Sequence, residues 1–304
     1  MDIYEQIKQE LNQYGYRFST VSITHLSELQ DVVAKLIRQG LVNKQLSEKW
    51  SFYLRTNERL PEAKTIIIAA IPQPITRIRF EWQGMAYLAD IAPNYIYTED
   101  EAQLEGILRG LLGDNGYRIV KASLALKTLA VHGGLAEYGR NNLVYVRGMG
   151  SFLRLIAFYT DCSCDEEDLR EAKAMELCGK CTLCLENCPT GSVTEDRFLI
   201  RAENCLGWLN DLEQDNPYWV KYQPDWHNAF IGCMSCQFVC PVNKPYLNNI
   251  IGGSSFSEEE TGQILDAVSV EELSSNILQK LGVSTGVYPL LPRNLRALIE
   301  KQNK

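Results

Sequence analysis

The sequence predicts an α+β protein that carries a separate, cysteine-rich domain. Three observations lead there. Residues 1–160 mix helical apolar periodicity with a continuous apolar run of strand length. That stretch has no cysteine, whereas all 10 cysteines fall between Cys162 and Cys240. The cysteines are also grouped, and two groups close on a Cys-Pro pair. A chain of 304 residues has room for two or three domains. The expected division is residues 1–160, 161–250 and 251–304.

The elements can be justified in order. "MDIYEQIKQELNQYGY" is charged and amphipathic and has no signal-peptide core. "SELQDVVAKLIRQG" predicts a helix, with Ser27 and Gln30 at capping-box spacing and Leu29, Val32, Val33, Leu36 and Ile37 on one face. "AKTIIIAAIPQP" predicts a strand covered on both sides and ended by Pro72 and Pro74. "DEAQLEGILRGLLGDNGY" predicts a helix with Leu104, Ile107, Leu108, Leu111 and Leu112 inward. "YRIVKASLAL" begins as a strand, and "NLVYVRGMGSFLRLIAFYTD" predicts two strands around a glycine turn. Beyond the cysteines, "GGSSFSEEE" predicts a flexible connection and "LPRNLRALIEKQ" a closing helix, so residues 251–304 are expected to be short helices.

Composition excludes some function classes. A net charge of −8 does not supply the surplus of Lys and Arg that general phosphate-backbone binding needs. The longest strongly apolar run, "TIIIAAI", is far shorter than a bilayer span. A cytoplasmic protein without a membrane partner is expected. In that reducing compartment, crowded cysteines point to metal rather than to disulfides.

"CGKCTLCLENCP" spaces Cys178, Cys181, Cys184 and Cys188 as C-x2-C-x2-C-x3-C-P, the bacterial ferredoxin signature. "CMSCQFVCP" repeats its second half with Cys233, Cys236 and Cys240, and Cys205 stands upstream. In that signature the fourth cysteine ligates the other cluster. The crossed rule gives Cys178, Cys181, Cys184 and Cys240 to one [4Fe–4S] cluster, and Cys188, Cys205, Cys233 and Cys236 to the other. Two structural zinc sites are the rival reading of the C-x2-C pairs. Cys162 and Cys164, in "DCSCDEED", precede a run of carboxylates that disfavours thiolate and are expected to be non-ligand thiols. Two linked clusters pass single electrons, so they need an endpoint: a cofactor in the N-terminal domain or a partner protein.

The order of these motifs, with "ENCLGWLN" and "IGCMSCQFVCPVN", resembles the epoxyqueuosine reductase family, relatives of the corrinoid reductive dehalogenases. "AVHGGLAEYGRNNLVYVRGMGSFLRLIAFYTD" is similar to the family's Gly-rich stretch, and "LPEAKTIIIAAIPQP" to its buried strand. The resemblance implies a modified nitroreductase-like N-terminal domain, a bacterial ferredoxin-like double-cluster domain, and cobalamin held without a protein histidine ligand. It makes His132, Gly134, Arg140, Asn141, Gly150 and Ser151 candidate cofactor-binding residues. Lys121, Tyr95 and Tyr138 are candidate catalytic residues, and Tyr97 a further possible proton donor.

The chain departs from the family at Lys121, where the family has a proton-donating acid, and at Ile96, where it has a histidine. Its C-terminal repeats are also short. A small organic substrate is therefore expected rather than tRNA, with a low-potential donor such as ferredoxin or flavodoxin. Two other readings stay open. One is a non-catalytic electron-transfer protein that reduces a partner corrinoid or flavin protein. The other is a flavin in the nitroreductase-like domain.

Overall fold

An apolar strand with no polar alternation needs cover on both faces, and residues 65–72 have it. The computed structural model describes residues 2–44, 47–48, 58–95, 99–165, 168–210, 223–267, 269–282 and 290–304. Its strands are β1 (Arg17–Ser22), β2 (Thr65–Pro72), β3 (Ile75–Trp82), β4 (Met85–Ile91), β5 (Ile119–Ala122), β6 (Glu137–Tyr138), β7 (Val144–Tyr145), β8 (Leu153–Thr160) and β9 (Ile250–Phe256). The chain divides into two compact units, Met1–Pro72 with Thr98–Cys181, and Gln73–Tyr97 with Thr182–Lys304.

The first unit is built on an antiparallel sheet of order β1-β2-β8-β5. Successive side chains of a strand point to opposite faces. On one side Ile67, Ala69 and Ile71 of β2 meet Ile7, Leu11, Leu104, Leu108 and Leu112, from the helices Ile3–Gln13 and Asp100–Asp114. On the other, Ile66, Ile68 and Ala70 meet Leu29, Leu129 and Ala130, from the helices Leu26–Arg38 and Leu126–His132. This is the mixed helix and strand class expected. Two local expectations are corrected. The helix Leu26–Arg38 starts one residue before Ser27 and has no side-chain cap; Ser22 instead caps the short 3-10 turn Ile23–His25 that leads into it. β7 pairs with β6, not with β8, because the turn at 146–150 closes on itself through a Val146–Gly150 bridge.

The second unit holds the sheet β4-β3-β9. β3 and β4 form a hairpin whose turn residues Gln83 and Gly84 both have positive φ, 52° and 72°. That conformation matches the right-handed twist of the flanking strands. β9 runs parallel to β3, so "IIGGSSF" is a strand and not a flexible connection. Gly253 permits this pairing, since a Cβ there would lie 2.7 Å from Ile78 and 2.9 Å from Thr76. The boundaries expected at 160 and 250 also shift. β3 and β4 share one core with β9 and the C-terminal helices, which joins segments far apart in sequence. Its centre is Phe80, stacked on Phe256 at 4.9 Å and tilted against Phe230 at 5.2 Å. Among the described residues no helix is long and apolar enough to cross a membrane.

The helix Glu258–Asp266 opens on a capping box: Ser257 Oγ accepts from Glu260 N, and Glu260 accepts from Ser257 N. Lys280 Nζ donates to both Glu260 oxygens at 2.7 and 2.8 Å. The Lys280 bond, then the bond from Ser257, holds the Glu260 carboxyl below its usual range. A depressed folded-state value contributes stability that is present above the unfolded-state value and is lost as pH falls through the folded one. Acidification below the normal glutamate range should therefore loosen this helix. Glu260→Gln should flatten the acid limb of a stability-against-pH curve; an unchanged limb would show that the pair contributes nothing.

Candidate iron–sulfur centre

The repeated motif gives repeated backbone. The one-turn helices Leu183–Glu186 and Ser235–Phe238 carry Cys184 and Cys236 at equivalent places, and they pack on one another. The residues before them, Thr182 and Met234, have matching dihedrals, φ −114°, ψ 1° and φ −121°, ψ 6°. Pro241 follows Cys240 and disfavours a helical conformation there, and Cys240 is extended at φ −74°, ψ 122°. Pro241 then opens the 3-10 helix Pro241–Tyr246, where its missing N–H is not needed.

Cys188, Cys205, Cys233 and Cys236 all lie in the second unit. Burial pushes the Cys205 thiol up to about 11, and Cys233 and Cys188 are close enough to add repulsion. Burial likewise raises Cys233, which also feels Cys188. Gly207 lies beside both residues: a Cβ there would stand 3.7 Å from Cys205 Sγ and from Cys233 N, ordinary contact distances. The crossed assignment places these three cysteines in one cluster, and Cys188 adds electrostatic repulsion at both of the others. Iron binding would remove the protonation problem, because a coordinated thiol is deprotonated.

N–H donors are already aimed at the sulfurs. Ser192 N lies 3.2 Å from Cys188 Sγ, and Asn228 Nδ2 lies 3.2 Å from Cys233 Sγ. Asn228 is itself fixed, accepting from Met234 N at 2.8 Å and donating to Ser235 Oγ at 2.8 Å. In the first unit, Arg140 N lies 3.4 Å from Cys178 Sγ. Such donors suit thiolates that carry cluster charge, and they help set cluster potential. Among the described residues no three His, Cys, Asp or Glu side chains form a group able to hold a single metal ion. A cubane spreads its four thiolates around an iron–sulfur core instead of one ion. Within the second unit, the donors on Cys188 and Cys233 suit cluster-bound thiolates.

The second cluster site is backed by a buried polar frame. Arg293 Nη2 donates to Asn210 O at 2.9 Å, Asn294 Nδ2 donates to Phe230 O at 3.1 Å, and Asn210 Nδ2 donates to Gly232 O at 2.7 Å. Gly232 has φ 78°, and a Cβ there would meet the Tyr95 ring at 2.7 Å and Ala92 at 3.0 Å. Gly232→Ala should therefore lower stability by roughly 1–3 kcal/mol through left-handed backbone strain and overpacking. Because it adjoins Cys233, iron retention should fall with it; a variant with normal denaturation midpoint and iron content would contradict this.

The remaining candidates are placed as follows. Lys121 lies on the outer side of β5, 54% exposed, with Nζ 2.9 Å from Glu101 Oε2. Arg154 pairs with the same carboxylate. This ion cluster turns Lys121 toward the Asp100–Asp114 helix. Tyr138 is buried with its hydroxyl bonded to Thr128, and burial raises its phenol, which holds the proton more firmly. Tyr95 lies in the other unit, its ring filling the space over Gly232. Ile96 and Tyr97 lie outside the described residues.

His132 Nδ1 lies 2.8 Å from Arg170 O, and Arg170 N donates to His132 O at 2.8 Å. The Arg170 guanidinium covers Gly134, where a Cβ would come within 2.4 Å of it. Asn141 is buried, donating to Tyr145 Oη at 3.0 Å and accepting from Leu143 N at 3.2 Å. Ser151 is buried beside the Gly150 turn. Arg140 reaches the cysteine loop, not an open surface. His132, Arg140 and Asn141 thus bond to protein groups, and the Arg170 side chain covers Gly134. Cys162 is buried at the end of β8, where Thr65 Oγ1 donates to its carbonyl at 2.6 Å and accepts from Cys164 N at 3.0 Å. Asn228 and Ser192 were not legible as sulfur donors, since neither lies at a fixed offset in a known motif.

Residues 177–243 match the 4Fe-4S double cluster binding domain, a stretch that contains all eight motif cysteines. Epoxyqueuosine reductase of Bacillus cereus is 27% identical over 256 residues, covering 79% of this chain and 66% of that protein. Epoxyqueuosine reductase of Francisella cf. novicida is 25% identical over 278 residues, covering 80% and 74%. The structure of epoxyqueuosine reductase from Streptococcus thermophilus superposes with a TM-score of 0.68 at 18% identity, over 100% of this chain and 82% of that one. The chain is thus similar in sequence to epoxyqueuosine reductases and shares their fold. It carries a double [4Fe–4S] cluster binding domain, and it spans 66% of the length of the Bacillus cereus relative.

Proposed function

We propose that the chain passes single electrons through its two [4Fe–4S] clusters to a cobalamin and so reduces a small organic substrate other than the epoxyqueuosine of tRNA. The observation that supports electron delivery most directly is the match of residues 177–243 to a 4Fe-4S double cluster binding domain, with N–H donors already on the sulfurs of Cys188 and Cys233. Cobalamin rests on the family resemblance alone. His132, Gly134, Arg140 and Asn141 are engaged elsewhere, so the chain's own groups account for electron delivery and not for a corrin grip. The substrate reading rests on Lys121, held to Glu101 where the family has an acid, and on a net charge of −8 that disfavours a phosphate backbone. Ferredoxin or flavodoxin is the proposed donor.

Two observations favour other readings. The relatives are named epoxyqueuosine reductase, which favours the tRNA substrate. The occupied state of the expected corrin residues favours a partner protein as the carrier of the corrin or flavin.

The experiment is anaerobic reconstitution, addition of cob(II)alamin, and EPR. Binding with loss of the nitrogen superhyperfine splitting supports a cobalamin reductase. An unchanged base-on spectrum at saturating protein supports the electron-transfer reading. Turnover of a tRNA stem-loop carrying epoxyqueuosine, with chemical reductant and cobalamin, would overturn the small-substrate assignment.

A further inference from the structure

Arg140 makes three bonds to the first cysteine loop, all inside one unit. Its backbone N lies 3.4 Å from Cys178 Sγ, its Nε 3.0 Å from Cys181 O, and its Nη2 2.7 Å from Cys178 O. We infer that Arg140 is the positioning residue that sets the reduction potential of the cluster held by Cys178 and Cys181. The inference rests on the cluster assignment and is independent of the acceptor.

The geometry carries it in two parts. First, the turn that presents Arg140 is closed from within. Gly139 N donates to Leu143 O at 2.8 Å, and Asn142 N donates to Gly139 O at 2.9 Å. Asn142 adopts a left-handed φ of 59°, and a Cβ on Gly139 would strike the Tyr145 ring at 2.4 Å. The backbone N–H is thus fixed in direction before any cluster forms. Tyr138 bridges to residues 173–175, tying the same turn to the chain that enters the cysteine loop.

Second, the side chain is a planar, always-charged fork that spans two carbonyls three residues apart. Among the described residues the guanidinium pairs with these carbonyls and not with a carboxylate, so its charge is not cancelled locally. Reduction of a cubane by one electron, from a low-potential donor or dithionite, adds one negative charge to the cluster. A fixed cation and a fixed N–H donor both favour the state with more negative charge. Arg140 therefore raises the potential of this cluster. The cluster of Cys188, Cys205, Cys233 and Cys236 has its own donors, Ser192 and Asn228, and is not served by Arg140.

The test is an EPR-monitored redox titration of reconstituted full-length wild type, Arg140→Gln and Arg140→Lys, with iron content measured on each. In Arg140→Gln the reduced fraction of one cluster should fall at least tenfold at fixed ambient potential, about 59 mV for a one-electron couple. The other cluster should not move. Arg140→Lys keeps the charge and should shift the same cluster by less than about threefold. If Arg140→Gln does not assemble the cluster, Arg140→Lys decides alone: full iron with a small shift supports the inference. A fully loaded Arg140→Gln with both potentials unchanged overturns it, as does an Arg140→Lys that loses iron or shifts tenfold. Wild type without iron–sulfur absorbance would instead overturn the cluster assignment itself.

Discussion

Cys236→Ser should remove one cluster and leave the other, so that iron falls from about eight to about four per chain. Cys184→Ser should do the same to the opposite cluster, because the two residues sit at equivalent places in the repeated motif. The two variants should differ in which EPR signal survives. Cys162→Ser should keep full iron, since its surroundings are Thr65, Tyr4 and Tyr117 and burial raises its thiol. Identical residual signals in Cys184→Ser and Cys236→Ser would contradict the crossed assignment.

Phe80→Ala should destabilise the second unit by about 3–5 kcal/mol, the range for removing a buried aromatic side chain. Phe80 is fully buried and contacts both Phe256 from β9 and Phe230, which precedes Cys233. The loss should appear as a lower denaturant midpoint with an unchanged slope. Phe80→Leu fills much of the same space and should recover most of it. A loss below about 1 kcal/mol for the alanine variant would mean that the site collapses around the gap.

Legibility in the sequence followed the range of the determining interactions. The eight cysteines were legible because their spacing is local chemistry. β2 and the Asp100–Asp114 helix were legible because burial on both faces and helical periodicity each leave a pattern within one segment. The β3–β4 hairpin was missed although "ITRIRFEWQGMAYLADI" carries alternation around a Gln-Gly turn, a signal that could have found it. β9 was not legible, because Gly252, Gly253, Ser254 and Ser255 become a strand only by pairing with β3, far away in sequence. The individual roles at the Gly-rich stretch depended on distant partners for the same reason. Arg170 over Gly134 and the Cys178 and Cys181 carbonyls under Arg140 cannot be read from residues 132–151. Lys121 was placed by position alone, and its ion pair with Glu101 is again a contact between separated elements.

The central claim is that one chain carries two redox-active cubanes built from crossed motifs. Its most direct test is a stoichiometric reductive titration of the anaerobically reconstituted protein, with metal analysis on the same sample. The account predicts about eight irons and about two electrons taken up per chain, in two separable one-electron steps. Stoichiometric zinc with no electron uptake, or four irons with a single step, would contradict it.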